Sequence, residues 1–312
     1  MSIVIIGSSN SDMVVRVPHI PSKGETVIGK SFDVLPGGKG ANQAVAAARL
    51  GADVKFIASI GLDSFGDTAI ENFKKDSINI DSIIRPNTNS GTAFIFVDDN
   101  GQNSIAVSPE SNALLNSDHI EKNAKIIANA THVLAQLETP IETIIHASEI
   151  SKREQVPFIL NPAPAQKLPD QLLSNTYILT PNETEASILS GIEVTDIASA
   201  TIAANTLLKK GVEIVIITMG ENGCLYVNEN ESKHIKTYKV DTIDTTAAGD
   251  TFNGALVYLL AQGKSIDEAI KFANAAAALS VTKFGAQPSA PYIQEVIDFM
   301  SLSKNDISPY IK

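Results

Sequence analysis

Short apolar runs recur along this chain, and each stops at a cluster of small or polar residues. Residues 3–6 end at Gly7 and then Ser8-Ser9-Asn10-Ser11-Asp12. Residues 54–60 run into Gly61-Leu62-Asp63-Ser64-Phe65-Gly66, and residues 133–137 stop at Glu138. Residues 158–160 lead to Asn161-Pro162-Ala163-Pro164, and residues 177–179 to Thr180-Pro181-Asn182-Glu183-Thr184-Glu185. Residues 214–217 lead to Thr218-Met219-Gly220-Glu221-Asn222-Gly223. Unbroken apolar runs mark strands buried on both faces, and the stretches between them read as helices. Such strands need helices above and below. The expected fold is therefore α/β, a doubly wound and mostly parallel sheet flanked by helices, with ligands beyond the carboxyl ends of the strands.

Two stretches break that rhythm. Residues 13–17 and 25–34 alternate polar and apolar, punctuated by Pro18, Pro21 and Gly24. Residues 92–97 and 104–107 flank Asp98-Asp99-Asn100-Gly101, where Asn-Gly signals a hairpin. Together they predict a small β-sheet lid built from residues 13–35 and 91–108. The main α/β domain would comprise residues 1–12, 36–90 and 109–312. The lid either closes over the site and excludes water or is a fixed β-extension. Its outer face is a candidate homodimer surface.

At 312 residues the chain has room for one large domain with an appendage. A formal net charge of −11 argues against a nucleic-acid or anionic-membrane partner. It leaves a small anion held by local amides untouched. The start, Met1-Ser2-Ile3-Val4, has no basic leader and goes straight into a strand. No run reaches the ~18 apolar residues of a membrane helix, so a soluble cytoplasmic protein is expected. The single cysteine, Cys224, rules out a disulfide within one chain. His19, His119, His132, His146 and His234 show no metal-ligand spacing, so no zinc site is expected.

The chemistry concentrates in two turns. Asp244-Thr245-Thr246-Ala247-Ala248-Gly249-Asp250 runs directly into an apolar helix. Unpaired amides at a helix start, on the positive end of its dipole, make an anion site for which phosphate is the usual guest. Asp250 beside them reads either as a base for phosphoryl transfer or as a first-turn acid that caps its helix. The second turn is Gly37-Gly38-Lys39-Gly40-Ala41-Asn42. It lacks the Ser or Thr and the glycine spacing of a Walker A loop. Its glycines permit close approach of a ligand to the backbone, and Asn42 would supply directional hydrogen bonds. Lys39 is either a ligand cation or a solvated surface charge. Asn10 and Asp12 would hold hydroxyls or form Asx turns. Glu138 is a sugar ligand or a helix-starting acid. Asn182 and Glu185 open a helix or orient a hydrated magnesium ion. The turn at Gly220 and Gly223 is an ordinary tight turn or passes under a nucleotide.

These motifs together resemble the ribokinase/PfkB-type family of carbohydrate kinases, which includes fructokinases and adenosine kinases. The likeness covers essentially the whole chain, anchored by Gly37-Gly38-Lys39-Gly40-Ala41-Asn42 and Asp244 to Asp250. It implies ATP-dependent phosphorylation of D-ribose at O5. It further implies Asp250 as the base and Ala247, Ala248 and Gly249 as the anion hole. Asn10, Asp12, Gly38, Lys39, Gly40, Asn42 and Glu138 match substrate contacts. Asn182, Thr218, Gly220, Gly223, Gly249 and Asn274 match nucleotide contacts. Asp244, Thr246, Ser280, Lys283, Gly285 and Ser289 match a monovalent-cation loop, usually for potassium, and Glu185 matches a water-mediated magnesium contact. Two positions depart from the family pattern. Ala247 replaces a frequent glycine, which implies no need for positive φ there, and Asn274 replaces a frequent histidine. Two alternatives accompany this reading: a kinase of the same family for another sugar or a nucleoside, and a non-catalytic sensor. A nucleoside pocket would want aromatics, yet the chain has no Trp and the lid segments offer few beyond Phe32, Phe94 and Phe96. A sensor would not need Asp250.

Overall fold

The computed structural model describes residues 2–303, 307 and 310. Its first seven strands are β1 (Ser2–Ile6), β2 (Asn10–Arg16), β3 (Ser31–Gly37), β4 (Asp53–Ser59), β5 (Ile83–Ile84), β6 (Gly91–Val97) and β7 (Asn103–Ser108). The remainder are β8 (His132–Ala135), β9 (Phe158–Leu160), β10 (Ile178–Leu179), β11 (Ile214–Thr218), β12 (Cys224–Asn228) and β13 (Ser232–Ile235). Nine of them form one sheet in the order β13-β12-β11-β10-β9-β8-β1-β4-β5. Its pairs are parallel from β5 to β11, and only the β11-β12-β13 edge is antiparallel.

The unbroken apolar runs are explained by two cores. Along β1, Ile3 and Ile5 enter one buried cluster with Val45, Phe252, Leu256 and Phe272. Val4 and Ile6 enter the other, with Ile144, Ile150, Ala203 and Leu207. Alternate side chains of a strand point to opposite faces, so one run serves two helix layers. The first layer includes helices Lys39–Arg49, Ala248–Ala261 and Ile266–Ser280, and the second includes Ile141–Arg153 and Ile197–Leu208. No described helix is long and apolar enough to cross a membrane.

The smaller sheet has the order β3-β2-β6-β7. Its first strand begins earlier than the alternation suggests, at Asn10 instead of residue 13, and its second begins later, at Ser31 instead of residue 25, and runs on to Gly37. Asn10 pairs with Gly37 and Gly91, and Asp12 with Leu35 and Ala93. The polar cluster after β1 is thus a strand start rather than an Asx turn, because the ladder takes its backbone groups. The two-residue period puts Asn10 and Asp12 on one face and Met13 and Val15 on the other. Their neighbours on that second face include Phe32, Val34, Phe94 and Phe96. Phe32 is 59% exposed and Phe94 48% exposed, so an apolar sheet face stands open to solvent.

Candidate active site

The carboxyl ends of β1 and β8 and the start of the Lys39–Arg49 helix meet in a polar pocket. Gly40 allows this, since a Cβ there would lie 2.6 Å from the Gly7 carbonyl carbon and the Ser8 amide. The helix has no side-chain cap of its own, and Gly38 precedes it at φ 89°. Glu138 supplies the missing acceptor from across the sheet. Its Oε2 accepts from the Lys39 amide at 3.0 Å and from Ser8 Oγ at 2.6 Å. It is therefore a helix-starting acid, but for a helix 99 residues away in the chain. Asn10 Oδ1 accepts from Asn112 Nδ2 at 2.8 Å, which fixes which end of that amide faces inward.

Charge in the pocket is crowded. Burial, helped by Glu138 and Asp250 and opposed by Lys39, pushes the Asp12 carboxyl up to about 7. Burial alone would lower the Lys39 ammonium, but the carboxylates of Asp250, Glu138, Glu185 and Asp12 outweigh it and raise it. Lys39 is not the solvated surface charge that one reading of the sequence allowed. It is the cation that four acids share.

Asp250 lies in the first turn of the Ala248–Ala261 helix and is only 6% exposed. Asn42 Nδ2 donates to its Oδ2 and Gln43 Nε2 to its Oδ1, each at 2.9 Å. Burial raises its proton affinity, while Lys39, Asn42 and Gln43 work against that rise. The helix is preceded by Ala247 at φ 59° and ψ 17°. This overturns the expectation that an alanine there avoids positive φ. A left-handed alanine costs about 1 kcal/mol, and flanking contacts hold it: Asp244 Oδ1 accepts from the Thr246 amide and hydroxyl, and its Oδ2 from the Gly285 amide at 2.9 Å. The Ala248 amide is bonded to the Thr245 carbonyl at 3.2 Å. The amides of Ala247, Gly249 and Asp250 have no protein acceptor among the described residues. Two of the expected trio, Ala247 and Gly249, are thus free, and the Asp250 amide takes the place of that of Ala248.

On the other side of this turn opens a cleft of about 660 Å³. Thr218, Gly220, Gly223, Gly249 and Asn274, all expected at a nucleotide, line it together. Asn182 does not. Its Oδ1 caps the Glu183–Ser190 helix by accepting from the Glu185 amide, and Glu185 Oε2 accepts in return from the Asn182 amide. Asn274 turns its amide toward the Lys236 carbonyl at 3.4 Å. The cleft also takes in Thr237, Tyr238, Val240, Phe252, Ala277 and Val281, none of which the sequence singled out.

The loop expected to hold a cation is drawn together by Asp244. Its carboxyl stays below the usual range: burial pushes it up, but the Thr246 and Gly285 donors and the nearby Arg16 outweigh burial. Ser280 and Ser289 are buried, with hydroxyls bonded to the Ala277 and Ala286 carbonyls at 2.8 Å. The Lys283 ammonium is engaged by Glu295 at 2.6 Å, so only its backbone carbonyl is available to the loop.

The pfkB family carbohydrate kinases match this chain over residues 1–293. A ribokinase of Haemophilus influenzae is 47% identical over 302 residues, spanning 96% of this chain and 98% of that one. The structure of a ribokinase from Thermotoga maritima gives a TM-score of 0.89 at 41% identity, over 96% and 99% of the two chains. That of Arabidopsis thaliana ribokinase complexed with ribose and ATP gives 0.91 at 32% identity, over 96% and 98%. The chain belongs to the pfkB family of carbohydrate kinases. Within it, this is a phosphotransferase of the ribokinase kind, with an alcohol group as acceptor.

Proposed function

We propose that the protein transfers the γ-phosphoryl group of ATP to O5 of D-ribose, giving ribose 5-phosphate and ADP. One observation carries this reading. The Asp250 carboxylate and the unpaired amides of residues 247, 249 and 250 share one helix start between a polar pocket and an open cleft. Asp12, Asn10, Gly38, Lys39, Gly40, Asn42 and Glu138 would hold the sugar. Asn42 suits that task, because its Oδ1 is buried without a protein partner and a sugar hydroxyl would satisfy it. The nucleotide would lie in the cleft over Thr218, Gly220, Gly223, Gly249 and Asn274. Asp250 takes the proton of the primary hydroxyl as its oxygen bonds to the γ-phosphorus and the bond to the β-phosphate oxygen breaks. The free amides stabilise charge on the group in flight, typically a large contribution in such sites.

Two ions fit the donor chemistry. Glu185 keeps Oε1 without a protein partner among the described residues, which suits a hydrated magnesium ion held through water. Bound magnesium would neutralise phosphate charge. Asp244, Thr246, Ser280, Gly285, Ser289 and the Lys283 carbonyl form an oxygen-rich loop suited to potassium. Bound potassium would keep the 247–250 amides in register. The open lid face with Phe32, Val34 and Phe94 would pair with a second copy of the chain. Phe94→Lys should convert a dimer into a monomer by sedimentation velocity; a wild-type monomer at micromolar concentration removes this element.

The central test is turnover. With ATP and magnesium, ADP release should be fastest with ribose in potassium buffer, ahead of deoxyribose, fructose and adenosine. Equal rates in sodium would remove the cation loop. Asp250→Asn should bind ribose by calorimetry yet lose turnover by at least ~100-fold. Retained turnover would end the reading of Asp250 as the base.

A further inference from the structure

Behind Asp250 lies a chain of buried amides that no substrate can reach. Gln43 is fully buried. Its Nε2 donates to Asp250 Oδ1 at 2.9 Å and also to Asn161 Oδ1 at 3.1 Å. Its Oε1 accepts from Gln136 Nε2 at 2.5 Å. Asn161 donates in turn to the Thr180 carbonyl at 3.1 Å. Thr180 Oγ1 donates to Asn253 Oδ1 at 2.7 Å, and Asn253 Nδ2 donates to the Gly249 carbonyl at 2.8 Å. Gln136, Asn161 and Thr180 directly follow β8, β9 and β10, so three neighbouring strand ends each place one polar group beneath the catalytic helix.

The polarity of this chain runs one way. Gln136 donates to Gln43 Oε1, and this turns the Gln43 NH₂ toward Asp250. Asn161, committed to the Thr180 carbonyl through its NH₂, offers Gln43 only its oxygen. The Gln43 amide carries two donors and one carbonyl oxygen, and all three are used in the orientation that aims a donor at the carboxylate. The helices themselves are pressed together to permit it. A Cβ on Gly254, one turn beyond Asp250, would lie 2.8 Å from the Gln43 carbonyl oxygen and 2.7 Å from Ala46 Cβ. Gln136 Oε1 is left buried without a partner.

We propose that Gln43, oriented by Gln136 and Asn161, is a positioning residue that fixes the Asp250 carboxylate and sets its readiness to accept a proton. This rests on the reading of Asp250 as the base. The other charged groups that act on Asp250 are Lys39 at the start of the facing helix, Glu138 after β8, Asp12 on β2 and Glu185 on the Glu183–Ser190 helix. Lys39 favours the carboxylate and the three acids disfavour it. Gln43 adds a neutral donor that favours the carboxylate. Losing this donor makes the anion harder to form, so the acidic limb of kcat moves to higher pH.

The test is the pH profile of kcat, with KM for ribose measured beside it, for the wild type, Gln43→Met and Gln136→Met. Gln43→Met should shift the acidic limb upward by about one unit, a tenfold change in proton affinity. It should lower kcat at neutral pH by at least ~10-fold and leave KM for ribose within about threefold, because Gln43 touches no substrate. Gln136→Met should move the limb in the same direction by a smaller amount. A limb that stays in place in folded Gln43→Met overturns the proposal, as does a rise in KM with kcat unchanged. If Gln43→Met does not fold, Gln136→Met decides the matter by the same criterion. The two readings separate through Asp250→Asn. Turnover retained there defeats the base assignment. Turnover lost there with an unmoved limb in the glutamine variants defeats only the role of Gln43.

Discussion

The two sides of the helix start at Asp250 solve recognition by opposite means. The proposed sugar side is buried and charged: Glu138 and Lys39 act on the ionisation of Asp12 and Asp250, and the three acids act on that of Lys39. The proposed nucleotide side is an open cleft of about 660 Å³ lined by glycines, alanines, threonines and a few larger side chains, with Lys239 and Glu221 as its only charged lining residues among those described. A small polyol offers little surface but many hydroxyls, so it must be read by directional, desolvated groups. Those groups are costly to hold buried. A nucleotide offers a large flat ring and a charged tail, so shape and backbone donors suffice. The buried side should therefore concentrate specificity and strain, and the open side should tolerate change.

The sharpest way to break this contrast is Asp12→Asn. Removing a charged acceptor of a sugar hydroxyl should raise KM for ribose roughly 50-fold, in line with the ~1.5–3 kcal/mol of a charged hydrogen bond. KM for ATP should barely change. In the wild type, KM for ribose should rise as pH falls through about 7, where Asp12 takes up a proton, and this dependence should flatten in the variant. The stability effect has the opposite sign. The folded state holds that proton to higher pH than the unfolded chain does, so Asp12 lowers stability as pH rises from about 4 toward 7. At pH 8, Asp12→Asn should thus be more stable by ~1 kcal/mol, about 2 °C for a chain of this length. A variant that binds ribose normally, or melts lower at pH 8, would show that the crowded acids are not where binding and strain meet.

The same contrast governs what the sequence reveals. The large sheet was legible because burial on both faces leaves unbroken apolar runs, as at residues 3–6. The small sheet was legible in kind but not in extent, since Asn10 and Asp12 are polar residues in a strand whose face turns toward the polar cluster. Polar side chains such as Asp12, Asn42 and Asp250 announced themselves. Gln43, Gln136 and Asn161 did not, because a buried amide looks in sequence like any solvent-facing one. Most of the cleft was equally silent: Thr237, Ala277 and Val281 contribute surface and backbone, which leave no pattern. Ala247 misled in a different way. Its side chain says nothing about φ, and the conformation is imposed by Asp244 from three residues before and by Gly285 from 41 residues beyond Asp244.

A milder perturbation of the open side is Ala277→Phe. Ala277 lines the cleft from the last turn of the Ile266–Ser280 helix and is only partly buried, so a ring there enters the cleft without needing room in the core. KM for ATP should rise about 10-fold, while ribose affinity by calorimetry stays within twofold. Equal losses on both sides would mean that the cleft and the pocket are not independently built, contrary to the contrast drawn above.

The smallest expected effect tests whether buried ionisation outside the site behaves by the same physics. His132 opens β8 at the end of the sheet away from the pocket. Its Nδ1 is buried without a partner, and burial pulls its pKa down to about 4. Here the unfolded chain takes up the proton first, so stability is complete above about pH 6.5 and is lost as pH falls toward 4. That is the reverse of Asp12, although burial is the leading cause for both, because burial opposes charge and the two groups become charged in opposite directions. His132→Phe keeps the ring and removes the titration. It should reduce the loss of stability between pH 6.5 and 4 by ~1 kcal/mol, less than the full shift implies because the side chain keeps some solvent contact. Turnover at pH 7.5 should not change. If the variant loses stability with acid as steeply as the wild type, His132 does not carry this acid sensitivity.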